Sequence, residues 1–317
     1  MKNIIFALFI FCSLSFALVL KPYKEIKVDG SVDDIALYKD ELLIGTSKGE
    51  LYRYLFKDEN LTKVTTIPKI KDFTGETIDA RIFSVDDFKN SYLFVSDSGV
   101  GGYSDLWLFE SNSTKHLIGS KDKLPIIKAR FVDKDHALLG LLSSEAILYD
   151  LKNKKIDFRI QADESKFSDF ALNEDRTKAA FASESGIITI IDLKSKKILK
   201  KLKGVNKDNV YSVAFVKDVV TGGGKDRRGS IYDLKSGKRD FIQGDFFIYV
   251  TALDKEAKRV AFVLHESSDI SIFDLGTKSK LYTLRGQKGS INHIIFKDSD
   301  TIVSSSDSDQ VLIWKLK

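Results

Sequence analysis

The stretch Ser290-Ile-Asn-His-Ile-Ile-Phe-Lys-Asp-Ser-Asp-Thr-Ile-Val-Ser-Ser-Ser-Asp-Ser-Asp-Gln-Val-Leu-Ile-Trp-Lys-Leu-Lys317 stands at the end of the sequence. Its apolar residues gather at Ile294 to Phe296, Thr301 to Val303 and Val311 to Trp314, with Asp and Ser turns between them, which predicts three short strands. Three strands alone cannot hide an apolar face, so the stretch must be one unit of something larger.

The unit recurs upstream. Tyr149-Asp150-Leu151, Ile191-Asp192-Leu193, Tyr232-Asp233-Leu234, Phe273-Asp274-Leu275 and Trp314-Lys315-Leu316 follow one another at spacings of 42, 41, 41 and 41 residues. Phe109-Glu110 lies 40 residues before the first of these, and Tyr54 lies 55 before Phe109, which predicts an insertion in the second unit. A second set of anchors marks the first strand of each copy: Ile35-Ala-Leu37, Ala80-Arg-Ile-Phe83, Ala129-Arg-Phe131, Phe170-Ala-Leu172, Val213-Ala-Phe215, Thr251-Ala-Leu253 and Ile294-Ile-Phe296. Both sets count seven. A period of about 40 to 45 residues holding four short strands is the mark of a propeller blade. The expected fold is therefore all-β, a seven-bladed β-propeller over residues 18–317.

On these residues the chain resembles the WD-repeat β-propeller family over nearly all of its length, with Val213-Ala-Phe215 and Tyr232-Asp-Leu234 among the closest matches. The pattern is degenerate. Trp314 alone occupies the tryptophan column, Trp107 is two places from it, and no Gly-His pair opens a repeat. Asp307 and Asp309 also miss the usual distance from the tryptophan, so apolar packing between blades is expected to replace the family's side-chain network.

Met1-Lys2-Asn3, the apolar run Ile4 to Leu14 and then Ser15-Phe16-Ala17 have the layout of a secretory signal peptide, residues 1–17, with cleavage expected after Ala17. The run is shorter than the roughly 20 residues that a spanning helix needs, and no transmembrane segment is expected after cleavage. Phe11 before Cys12 argues against a lipidated cysteine. Cys12 and Met1 are the only residues of their kinds, so the expected mature chain holds no thiol for a disulfide, an iron–sulfur cluster or thiolate-bound copper. Export without cysteine fits a periplasmic address. The C-terminal copy lacks a fourth strand, and the residues after the leader can supply it: Ile26 to Val28 are expected to pair with Val311 to Lys315, closing the ring and removing its open edges.

Chemistry is sparse. His116, His136, His265 and His293 fall in four different units, which gives no converging metal site. No Gly-x-Ser-x-Gly motif is present. Gly222-Gly-Gly-Lys-Asp-Arg-Arg-Gly229 lacks the ending of a phosphate loop, and Asp97-Ser-Gly-Val-Gly-Gly-Tyr-Ser-Asp105 reads as a glycine-rich turn. The net charge is +5 with no nucleic-acid recognition motif, so nucleic acid is not an expected partner. No catalytic, cofactor-binding or metal residue is assigned, and no cofactor is expected.

Two candidate surfaces remain. Aligning the first strands sets Asp34, Ala80, Lys128, Asp169, Ser212, Val250 and His293 at one position near the channel mouth, which makes the polar members, Asp34, Lys128, Asp169, Ser212 and His293, a candidate interaction set. The turns before the outer strands hold Lys152, Lys154, Lys155, Lys194, Lys196, Lys197, Lys235, Lys238, Arg239, Lys278 and Lys280, a candidate basic arc on one face. The opposite face gathers Asp97, Asp105, Glu145, Glu184, Glu266, Asp269, Asp307 and Asp309.

WD-repeat propellers mostly bind proteins through their faces, so the resemblance implies a non-catalytic interaction protein with periplasmic protein partners. The leader, the seven degenerate repeats and the lysine-rich, cysteine-free remainder are similar in layout to the NapL family of accessory proteins found beside periplasmic nitrate reductase. That likeness implies nitrate reductase components as partners and a supporting role in maturation or electron delivery. A propeller enzyme (a lactonase-like hydrolase or a quinoprotein) and a scaffold for outer-membrane assembly are the rivals.

Overall fold

The computed structural model describes residues 17–317; the expected leader core lies outside the described residues. Seven antiparallel sheets follow one another along the chain, joined by a circular succession of packed apolar interfaces. No α-helix occurs among the described residues, and no helix there is long and apolar enough to cross a membrane. Blade 1 shows the common plan: Val32–Tyr38 innermost, then Glu41–Thr46, Glu50–Leu55 and Asn60–Thr66 at the rim. The second strand is buried on both sides in every blade (Leu42–Leu43–Ile44, Ala179–Ala180–Phe181), because each blade is sandwiched between two others. The outermost strand is half wet and correspondingly polar.

The ring closes where the two ends of the chain meet. Lys24–Lys27 runs antiparallel to the third strand of blade 7, Gln310–Lys315, with Ile26 opposite Val311 and Lys24 opposite Ile313. The expected partners are right, but the contact uses residues 24–27 rather than 26–28, since Val28 already donates to the Asp309 carbonyl at the turn. A further strand, Leu18–Leu20, adds in parallel to Lys280–Leu284 as a fifth strand of blade 6. Sequence reading did not foresee it.

The expected insertion is divided. Fifteen residues, 67–81, join blade 1 to blade 2 and carry the small hairpin Ile70–Lys71 and Thr77–Ile78, while the rest forms the glycine-rich turn after Asp97. The two pack together: a Cβ on Gly99, at φ 74°, would sit 2.2 Å from the Lys71 carbonyl oxygen. This long connection shifts the innermost strand of blade 2 to Ile82–Phe88, so the mark at Ala80 is corrected. Ala80 belongs to the connection and Ser84 takes the aligned position.

The expectation that the family's side-chain network is lost also needs amending. Buried Trp314 donates from Nε1 to Ser304 Oγ at 2.8 Å, Ser304 donates to Gln287 Oε1 at 2.7 Å, and Gln287 donates to Ser306 Oγ at 3.0 Å. Trp107 does likewise to Ser96 at 2.9 Å. Each indole reaches a serine on the second strand, and the two serines differ in register by two residues, as the two tryptophans do.

Candidate interaction site at the channel mouth

Each innermost strand has one edge in its sheet and one edge on the central channel, so half its backbone N–H groups find no partner in the ladder. The structure satisfies several of these groups across blades. In blades 1, 2, 3, 4, 5 and 7 a β-bulge interrupts the pairing at the same place, between Val32 and Asp34, Ile82 and Ser84, Ile126 and Lys128, Phe167 and Asp169, Val210 and Ser212, and Ile291 and His293. A bulge breaks the strict in-and-out alternation of side chains, so the bulged residue and its successor both reach the channel end. This produces two rings where period-two reading allows one.

The inner ring holds the aligned residues, and it ties blades together. Asp34 Oδ2 accepts from the Val85 N–H at 2.8 Å, Ser84 Oγ from Ala129 at 3.0 Å, Asp169 Oδ2 from Val213 at 2.9 Å and Ser212 Oγ from Thr251 at 3.1 Å. Two residues further down, Asp86 Oδ2 accepts from Phe131 at 2.7 Å. Every one of these bonds runs from a blade to the next. Basic side chains complete the set: Arg130 bonds Asp34 Oδ2 at 3.0 Å and Ser84 Oγ at 2.9 Å, His293 Nε2 lies 2.9 Å from Asp34 Oδ1, Lys128 bonds Asp169 at 2.6 Å and Arg176 bonds Asp86 at 2.9 Å. Burial alone would raise the Asp34 carboxyl, but Arg130 and His293 outweigh it and hold the group well below the ordinary carboxylate range. Asp34, Lys128, Asp169, Ser212 and His293 all line one channel of about 700 Å³, with most of their hydrogen-bonding capacity spent on neighbouring blades.

The outer ring is made by the bulged residues: Asp33, Phe83, Ile127, Ser168, Tyr211 and Asn292, with Tyr249 in the matching slot of blade 6. It is largely aromatic and apolar. Tyr211 and Tyr249 pack at 4.8 Å between centroids, and Phe246 and Phe247 of the preceding connection join them at 6.3 and 6.2 Å from Tyr249. Tyr249 is 41% exposed. Across the mouth, Asp33 has a buried Oδ2 with no hydrogen-bond partner among the described residues. Burial pushes its carboxyl up to about 6, against the pull of Arg81. Sequence reading missed this ring by one residue; the available signal was the aromatic just before the aligned position in Ile-Phe-Ser84, Val-Tyr-Ser212 and Ile-Tyr-Val250.

The basic arc lies on the opposite, exit face, where first strands end and fourth strands begin. Some members are engaged: Lys278 pairs with Asp240 at 2.6 Å, Lys155 reaches Asp157 at 3.8 Å, Lys154 donates to the His116 carbonyl at 3.4 Å and Arg239 to the Lys203 carbonyl at 3.1 Å. Lys196 and Lys280 lie over Phe158 and Phe273. Lys152, Lys194, Lys197, Lys235 and Lys238 form no ion pair among the described residues. Nearer the axis the same face is mixed in sign and paired across blades, as in Lys217 with Glu256 at 2.6 Å and Lys297 with Asp40 at 2.7 Å. The arc is therefore an outer rim, not a whole face.

Most acids of the entry face have a basic side chain beside them: Asp97 faces Arg81, Asp105 faces His116, Glu145 faces Arg159, Glu184 faces Lys166 and Asp269 faces Arg285. His136, Asp150 and Asp157 place ligand-type atoms within 4.8 Å of one another. Both ring nitrogens of His136 already face acids, Asp133 at 3.0 Å and Asp157 at 3.2 Å, and Asp150 accepts the turn amides of Lys152 and Asn153. Burial lowers the His136 pKa, but these acids override it and raise it, which favours the protonated ring over a metal-binding one.

No family model and no curated protein matches the sequence. Among solved structures the chain is similar to one described as "Crystal Structure of Mitotic Checkpoint Complex", at 11% identity over 93% of this chain and 95% of that chain, with a TM-score of 0.77. The fold is a WD40-like seven-bladed β-propeller. At this identity the likeness speaks to fold alone.

Proposed function

We propose that this protein is a non-catalytic interaction platform that receives a partner protein at the outer ring of the entry face. One observation carries the reading: the channel acids that a propeller enzyme would use, Asp34, Asp86 and Asp169, each hold both a cation and a neighbour's backbone N–H, whereas Tyr211, Tyr249, Phe246 and Phe247 stand exposed or half-exposed at the mouth. Buried aromatic anchors supply most of the energy of protein docking. The unpartnered oxygen of Asp33 suits a donor or a cation on the arriving segment.

The finer reading follows from the leader layout and the repeat. The protein is exported to the periplasm on the leader 1–17, which is then removed, and supports the nitrate reductase system there, as the resemblance to NapL-type accessory proteins implies. The fold neighbour's description names a multi-protein complex, which agrees with a platform role. Binding of purified periplasmic nitrate reductase components, measured for the native protein and for Tyr211→Ser/Tyr249→Ser, tests both levels. Loss of at least tenfold in affinity is expected with no change in melting temperature. Nitrate respiration that is unaltered by deleting the gene overturns the nitrate reductase reading, and binding that ignores the two tyrosines overturns the site.

A further inference from the structure

A strongly one-sided cluster of charge lies at the rim between blades 4 and 5, apart from the residues that line the channel mouth. From Leu193 to Lys203 the chain carries Lys194, Lys196, Lys197, Lys200, Lys201 and Lys203 and no acid, and all six side chains are exposed. The residues Lys197–Leu202 form the outermost strand of blade 4. Across a groove of about 230 Å³ stand Lys238 and Arg239 of blade 5, with Leu202 and Tyr232 also in its walls. Asp233 is the groove's single acid among the described residues, and it is spent on the turn amides of Lys235 and Ser236 at 2.9 and 3.0 Å. The nearest ion-pair contact of these six lysines is Lys201 to Asp163 at 4.0 Å.

Protection of a free strand edge does not require this much charge. The outer strands of blades 1, 2, 3 and 5 hold one or two Lys or Arg residues each, in Asn60–Thr66, Ser113–Ile118, Lys155–Gln161 and Arg239–Gln243. Apolar side chains are also set among the lysines. A bulge between the partners of Ile198 and Lys200 turns Leu199 outward, leaving it 52% exposed; Ile198 is 36% exposed and Phe241 of the next blade 38%. Lysine is a hydrated point charge on a flexible stem, without arginine's fixed fork for one shaped acid. Lysines interleaved with exposed aliphatic residues match a fluid array of phosphate headgroups above an acyl boundary.

We propose that the rim of blades 4 and 5 docks the protein onto an anionic lipid surface, with the lysine ammonium groups on headgroup phosphates and Ile198 and Leu199 at the acyl boundary. This surface is independent of the channel mouth and leaves the entry face free. The test is co-sedimentation of the purified protein with phosphatidylcholine vesicles, alone or with about a third phosphatidylglycerol. Binding is expected only to the anionic vesicles, and it falls at least tenfold between about 0.05 and about 0.5 M salt as the Debye length contracts. Lys197→Gln/Lys200→Gln/Lys201→Gln/Lys203→Gln removes binding with an unchanged melting temperature. Ile198→Ser/Leu199→Ser weakens it several-fold with the same salt dependence. A set of distant changes, Lys39→Gln/Lys89→Gln/Lys255→Gln/Lys288→Gln, leaves most of it. Equal binding to neutral vesicles, no binding to anionic ones, or equal losses from the near and distant sets overturns the proposal. Full competition by inorganic pyrophosphate, with Ile198→Ser/Leu199→Ser behaving as native, overturns it in favour of a site for soluble phosphate.

Discussion

The channel and the rim of blades 4 and 5 are both rich in charge, and they use it in opposite ways. In the channel Asp34, Asp86 and Asp169 each meet a cation and a backbone N–H of the next blade, so removing one partner strands the other in a buried place. At the rim, Lys194, Lys197, Lys200 and Lys203 meet no acid among the described residues and are covered by water, which screens their mutual repulsion. The difference teaches that charge near an aligned repeat position says little by itself. What counts is whether the neighbouring blade offers the complementary group.

The largest expected effect belongs to the channel. Asp34→Ala strands Arg130 and His293 and frees the Val85 N–H, and should lower unfolding free energy in urea by about 3–5 kcal/mol. The wild-type contribution of Asp34 comes from a depressed carboxyl, so it is complete above the unfolded value near 3.8 and is lost only as pH falls through the lower folded one. A loss no larger than that of a rim lysine would break the comparison at its root. Next comes the seam: Ile26→Ala, in the strand that closes blade 7, should cost about 2–4 kcal/mol and raise self-association as the Gln310–Lys315 edge loosens.

A smaller effect of opposite sign sharpens the contrast with a buried acid that forms no ion pair among the described residues. Asp87 Oδ2 has no partner among the described residues; burial, helped by Glu41, pushes its carboxyl up to about 7. Its folded form favours the proton, so stability is undiminished below about pH 3.8, declines as pH rises and is at its lowest above about pH 7. Asp87→Asn keeps an acceptor for the Asn90 amide and should stabilise by roughly 1–2 kcal/mol at pH 8, with no gain at pH 4. The smallest effect is at the rim. Lys200→Gln/Lys201→Gln should alter unfolding free energy by no more than about 0.5 kcal/mol while changing affinity for anionic vesicles.

Much of this architecture was legible because each blade carries its own instructions. Buried runs such as Leu42-Leu-Ile44 and Ala179-Ala-Phe181, with turn residues between them, recur at a near-constant interval, and the unfinished last copy announces that the N-terminal residues must complete it. The site was less legible. The sequence sets Ala80 at the aligned position because nothing local reveals that residues 67–81 fold into a connection with its own hairpin. Tyr211, Tyr249 and Phe83 escape a period-two reading because strand alternation permits one channel-facing side chain where the bulge supplies two. The acids of the entry face read as an open negative surface until Arg81, His116, Arg159, Lys166 and Arg285 were found beside them.

The sequence by itself determined the number of blades, their strand order and the closure of the circle, since these follow from the local alternation of apolar residues and a repeat length that the chain states seven times. Only the tertiary structure decided which polar residues are spent and which are free. Asp34 and Lys200 are both charged residues on strands, and what separates them is a neighbour 96 residues away, Arg130, beside the first and no ion-paired acid beside the second among the described residues. Such pairings arise when the circle closes, because bulges and adjacent blades bring together groups that no short window of sequence contains.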